Sequence, residues 1–226
     1  MQIKRIKNRL TKQFEELCKQ NKIENCTFLV CNQTDFINFN YKYYKYNKLT
    51  PKQMLNNINE ESNVATRSLM FSDYLYMDGK WSYRITLLVE NLYKLYYALH
   101  LSKTEYTEDE LFEFLSLCLQ HEVGHIIDYI KAFKNAKTQE EIEAIVQKRA
   151  ERHYKDLMSY FALRDHLFHT FEGDDYDMCR MEVEKYFSMK AEATANKYAK
   201  LDKEKLIEMT IKFQAFLEDF YLNEQY

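Results

Sequence analysis

Along most of this chain apolar residues return at every third or fourth position, and that spacing predicts a mostly helical protein. Ile3, Ile6, Leu10, Phe14 and Leu17 make one such stripe, so residues 3 to 21 are predicted to form a helix. The period then changes. Thr27 to Cys31 reads as a short strand and Phe36 to Tyr46 as a second, Tyr-rich one. Pro51 opens a predicted helix to Asn57, and the polar run from Asn57 to Thr66 predicts a loop. Tyr74 to Trp81 has the form of a hairpin with Asp78-Gly79 at its turn. Its second arm continues from Arg84 to Glu90, where Ile85, Leu87 and Val89 alternate with Thr86, Leu88 and Glu90.

Helical spacing returns after that strand and stays. Thr107 with Glu110 is a capping-box signature, and Leu111, Phe112, Leu115, Cys118, Leu119, Val123, Ile126, Ile127 and Ile130 follow at helical steps. Further helices are predicted over Glu140 to Phe168, Met178 to Leu201 and Lys203 to Tyr221. The break between the first two falls at Glu172-Gly173-Asp174-Asp175. The Asp174, Asp175, Asp177 cluster lacks the spacing and closing Glu of a calcium loop, and it suits the start of a helix.

Composition narrows the class. Three Gly and one Pro in 226 residues disfavour a turn-rich all-β fold. The length suits one domain with a sizeable core. Five cysteines without a C-x-x-C pair predict free thiols in a reducing compartment. The start of the chain has no signal-peptide core, and no apolar run is long enough to span a membrane, so the expected setting is cytoplasmic. The net charge of -3 hides an asymmetry, because residues 1 to 52 hold eleven Lys and Arg against four acids. That basic region, with Lys42, Tyr43, Tyr44, Lys45 and Tyr46, admits nucleic-acid stacking, while solvated lysines guarding an edge strand explain it with less.

The chemistry lies at residues 121 to 125, which read H-E-V-G-H inside the capped helix. Four residues is just over one turn, so His121 and His125 share a face and can offer nitrogens to one metal ion. Glu122 then stands beside the metal, where a carboxylate can take a proton from a bound water. A chance match in a chain of this composition has a probability on the order of one in a hundred. The context adds weight: Gly124, a poor helix former, sits between the two histidines, where the lack of a side chain lets another backbone come close.

Two histidines do not complete a catalytic zinc site, so a third protein ligand is expected. A metzincin would place a further His within six residues, and Ile126 to Lys131 holds none. Asp128 shares the ligand face but would put all three ligands on one rod, so it reads as a carboxylate supporting the site or facing substrate. Glu192 is the better candidate. It stands four residues before Asn196, with Ala191, Ala195 and Ala199 alongside, a small-residue face able to pack on Gly124. Asn196 would then hydrogen-bond a ligating histidine. Glu184, His153, His166 and His169 remain open as alternatives, and Tyr198, Tyr129, His166 and His169 as donors to a developing oxyanion.

H-E-V-G-H together with E-x-x-A-N-x-Y-A at Glu192 to Ala199 resembles the gluzincins, and within them the ImmA/IrrE-type metallopeptidases. The resemblance implies that Glu192 is the third zinc ligand and that Asn196 supports a ligand histidine. Asp128 extends the motif to H-E-x-G-H-x-x-D, which is similar to some toxin-type gluzincins. The two motifs lie far apart, and an inserted helix or two between Lys131 and Cys179 accounts for the distance.

Together these readings predict a mostly helical α+β, zincin-like domain over residues 1–226. A basic helix and a small antiparallel sheet fill 1–106, the active-site helix 107–134, and helices carrying the third ligand 135–226. The expected activity is zinc-dependent hydrolysis of peptide bonds, with His121, His125 and Glu192 as ligands and Glu122 as general base. The expected partner is a peptide or protein substrate, bound in part by main-chain pairing to the strand before the motif helix, and not a membrane. An inactive zincin-like binding protein, or a nucleic-acid-associated protein using the basic Tyr-rich region, is the alternative.

Overall fold

The structure is a computed structural model that describes residues 3–46, 69–77, 79–101 and 106–223. The predicted Pro51 helix and the loop after it lie outside the described residues. Eight helices and three strands follow one another among those described: α1 (Ile3–Asn21), β1 (Cys26–Cys31), α2 (Gln33–Tyr46), β2 (Met70–Met77), β3 (Lys80–Leu88), α3 (Val89–Leu101), α4 (Glu108–Phe133), α5 (Gln139–Thr170), α6 (Asp175–Ser188), α7 (Lys190–Ala199) and α8 (Lys203–Asn223). This is a mostly helical α+β protein. No helix among the described residues is long and apolar enough to cross a membrane.

The motif helix α4 lies between two layers. Leu111, Leu115, Leu119, Val123 and Ile126 bury one face against Ile6, Leu10 and Phe14 of α1 and against Ile85 and Leu87 of β3. Leu117 turns the other way, toward Val183 and Phe187 of α6 and Leu206, Ile207 and Ile211 of α8. Such a helix needs apolar residues on both sides. Its start is fixed as its sequence predicts: Glu110 N–H donates to the Thr107 hydroxyl at 3.1 Å, and Thr107 N–H donates to the Glu110 carboxylate at 2.8 Å. Part of the basic charge of α1 is spent here, since Arg5 pairs with Glu108 and Arg9 with Asp109.

The hairpin forms where the sequence places it, with Met77 opposite Lys80 and Gly79 at φ +74°, a value glycine adopts without strain. The sheet, however, is mixed and not antiparallel. Its order is β1-β3-β2, with β1 parallel to β3. The strand before the motif helix is therefore central, and its residues Tyr83 to Leu88 are all buried. Among the described residues the edge beside α4 is β2.

Two further expectations need correction. Phe36 to Tyr46 belongs to a helix, because Asn32 caps it: Asp35 N–H donates to the Asn32 side chain at 2.7 Å. Phe36 and Asn40, four residues apart, face inward from it. The predicted helix Met178 to Leu201 is two helices, broken at Met189, which has extended dihedrals (φ -55°, ψ 143°) and buries its side chain. Lys190 N–H then donates to Asp156 of α5 at 3.0 Å, so α7 starts afresh with a borrowed cap.

Asn40 helps to anchor the far face of the sheet. Arg84, buried on β3, donates through Nε to Asp73 of β2 at 3.0 Å, through Nη2 to the same carboxylate, and through Nη1 to Asn40 at 3.0 Å. Phe36 and Phe39 flank its guanidinium. Breaking one side of such a pair strands the other charge. Arg84→Ala should lower the unfolding free energy by about 3 kcal/mol, and adding Asp73→Ala should recover part of that loss. Urea denaturation of the two variants measures this; a double variant no more stable than the single one would remove the stranded-charge account.

Candidate metal centre

Gly124 decides how closely α7 approaches α4. A carbon added at its Cβ position would stand 2.1 Å from the Ala195 carbonyl oxygen and 2.7 Å from its carbonyl carbon. No side chain fits there, so the backbones touch directly and the first turns of α7 reach the histidine face of α4. Ala195 is fully buried in the contact, with Glu192 and Asn196 on either side. The small-residue pairing expected from the sequence is the packing observed.

The three side chains converge as a result. His121, His125 and Glu192 are all buried, and their ligand atoms lie within 4.8 Å of one another. His121 Nε2 is 2.9 Å and His125 Nε2 3.4 Å from the same Glu192 oxygen, and the two nitrogens are 3.1 Å apart. Four tetrahedral ligands about 2.0–2.1 Å from a zinc ion stand roughly 3.3 Å from each other, so this triangle fits one face of that tetrahedron. Two imidazoles and a carboxylate can hold a metal ion.

The support around the ligands fits the same purpose. His121 Nδ1–H donates to Asn196 Oδ1 at 2.7 Å, which leaves Nε2, the atom facing Glu192 and His125, as the nitrogen that would be offered to a metal ion. The Asn196 amide nitrogen is buried without a partner. An asparagine kept at that cost is explained by what its oxygen does for His121. Phe187 closes the other side of His121, ring centres 5.7 Å apart. Glu192 sits in the first turn of α7, where the helix dipole favours a negative charge.

Charge balance in the triangle follows from burial and partners. Burial works against an ionised Glu192, but hydrogen bonds from His121 and His125 outweigh it and hold the carboxyl well below its usual range. Burial disfavours a charged His121, and Glu192 with Glu122 reverses that, so its pKa lies above the ordinary 6.5. Glu122 is half-buried one residue along. Burial raises its pKa, while His125, His121 and a hydrogen bond from the Ser72 hydroxyl of β2 act in the other direction.

The remaining candidates lie elsewhere. Asp128 accepts from Arg149 of α5 at 2.6 Å, so it ties α4 to α5. Glu184 pairs with Arg180 at 2.9 Å. His153 is exposed, His166 meets its own helix at Thr170, and His169 stands exposed beside Asp165. Tyr198 lies under the Lys131 ammonium, 3.5 Å from ring centre to nitrogen. Tyr129 stays close: its ring stacks near His125 and its hydroxyl is in hydrogen-bonding reach of Ser72, with burial raising its pKa.

Two residues near the site have no signal in the sequence. Ser72 belongs to a strand whose spacing says nothing of Glu122, and Tyr186 donates its phenol to Glu192 from α6, across the break at Met189. Tyr186 as a whole is 38% exposed, but desolvation of the hydroxyl end, with Glu192 and Glu122 nearby, raises its pKa.

Gly124→Ala should be costly. Alanine gains about 1 kcal/mol of helix propensity, but the overlap with Ala195 should cost more and leave a net loss of about 2 kcal/mol, with metal affinity at least about tenfold weaker. Urea denaturation and metal titration against a competing chelator test both parts; unchanged affinity would show that the close contact does not set the triangle. In the metal-free protein the imidazolium–carboxylate contact is a stability term fully present below pH 6.5 and lost as pH rises through the raised value of His121. Metal-free protein should therefore unfold at lower urea at about pH 8 than at about pH 6, and a flat or opposite trend would contradict the assignment.

Compared with protein-family models, curated proteins and solved structures, the chain matches none, so its functional reading rests on the chemistry of these residues.

Proposed function

We propose that this protein is a zinc-dependent metallopeptidase of gluzincin type, similar to the ImmA/IrrE-type enzymes, with His121, His125 and Glu192 as ligands and Glu122 as general base. The observation that carries the reading is the buried triangle of two imidazoles and a carboxylate with a second, half-buried carboxylate one residue along the same helix. A structural zinc site has four protein ligands, whereas three leave a position for water, which is the catalytic pattern.

A zinc ion held there supplies the positive charge that acidifies a water and polarises a carbonyl. The rest is the work of the chain. Asn196 fixes the His121 tautomer, and Glu192 completes the donor set from the start of α7. Glu122 takes a proton from the attacking water and passes it to the leaving amine; its raised pKa suits both halves of that task. Ser72 steadies the carboxylate. Tyr129 and Tyr186 border the site as protonated phenols, the kind of donor that a developing oxyanion needs. The main-chain groups on the outer side of β2, near Ser72, are the edge that an extended peptide can pair with.

Glu122→Gln should retain zinc and lose hydrolysis by at least about a hundredfold. Zinc-loaded protein incubated with a diverse peptide mixture, read by mass spectrometry with and without chelator, measures this. Equal cleavage by the variant would remove the general-base role. No cleavage by zinc-loaded wild type would favour the inactive, zincin-like binding protein.

A further inference from the structure

The helix α5 is 32 residues long and shows apolar residues on both sides. Ile142 and Leu167 are buried, and Tyr160 and Arg164 reach Glu182 of α6. On the opposite side Tyr154 (63% exposed), Met158 (45%), Phe161 (47%) and Phe168 (78%) stand in solvent. Steps of four, three and seven residues place these four within about 80° of arc and along about 21 Å of helix. Large apolar side chains aligned on one exposed face mark an interaction surface. They take no part in the proposed metal site.

We propose that this face binds a second copy of the same chain, the two α5 helices pairing antiparallel about a two-fold axis. The charges flanking the stripe carry the choice of partner. Set Met158 against Phe161 of the second copy, and Tyr154 comes opposite Asp165, whose carboxylate can accept its hydroxyl proton. In the same register Lys155 reaches Asp165 and Glu151 reaches His169. Each contact occurs twice under the two-fold. Parallel, in-register pairing does the reverse and sets Glu151, Lys155 and Asp165 each against its own copy. Asp165 and Phe168 are among the most exposed side chains of the helix, so both are accessible to a partner. One helix pair lies at the small end of specific interfaces, which fits a dimer of about micromolar affinity.

Analytical ultracentrifugation of the full chain across micromolar to submillimolar concentration tests the proposal. The mass should rise from one chain to two. Met158→Lys with Phe161→Lys should stay monomeric, with unchanged circular dichroism and metal binding. Lys155→Asp should weaken the dimer about tenfold, and Lys155→Asp with Asp165→Lys should restore it. Those two positions are about 15 Å apart along one helix, so rescue has to come from contact between chains. A monomer at every concentration, a dimer that survives the double lysine variant, or a charge swap without rescue would each overturn it. None of these outcomes depends on hydrolytic activity.

Discussion

The site depends on one close contact, the Gly124 backbone of α4 against the Ala195 carbonyl of α7. His121 and His125 are placed by helix geometry alone, since a four-residue step on α4 sets them on one face. Glu192 is not; it comes from another helix, 67 residues beyond His125 in the chain, and reaches the histidines only because nothing but hydrogen occupies the Gly124 face. A glycine inside a helix weakens it by up to about 1 kcal/mol against alanine, so its presence has to be explained by what it admits. Here it admits a carboxylate and an amide, spaced one turn apart, to the two nitrogens of His121.

The close contact requires α7 to be short and separately aimed. Were α6 and α7 one rod, its line would be set by the packing of Val183 and Phe187 on α4 and α8. The extended residue Met189 frees α7 from that line, and Asp156 of α5 caps the new start. The break also puts Glu192 in the first turn, where unpaired amide dipoles favour its charge. The long helix α5 thus contributes to the site without lining it: it donates the Asp156 cap, and through Arg149 it holds Asp128 of α4.

These points separate what the sequence states from what it leaves unsaid. Local signals were legible: the capping box at Thr107, the turn at Gly79, the break at Glu172 to Asp175, and the pairing of small faces at Gly124 and Ala195. The Tyr-rich run from Phe36 was not, because aromatic residues favour strands only where a sheet position exists, and the Asn32 cap turns the segment into a helix instead. The Met189 break carries no Gly or Pro to announce it. Tyr186 stood unnoticed for that reason, since helical spacing carried across the break would point it away from Glu192. Asp128 differs again. Its place on the ligand face was legible, but its partner Arg149 lies on another helix, and a contact of that kind has no local signature.

Strand order had the largest effect on how the site is read. A hairpin upstream of the motif helix suggests that its second arm borders the cleft as an edge. The parallel pairing of β1 with β3 closes that edge and makes β2 the outer strand beside α4. Alternation then gives β2 two tasks. Ser72 and Tyr74 face α4, where Ser72 meets Glu122 and Tyr74 packs on Tyr129, while Asp73 faces away and is held by Arg84. The Arg84–Asp73 pair on the far side of the sheet and the Ser72 hydroxyl beside Glu122 thus belong to adjacent residues of one strand. A single residue step of β2 therefore separates the polar network of the sheet from the carboxylate proposed to move the proton.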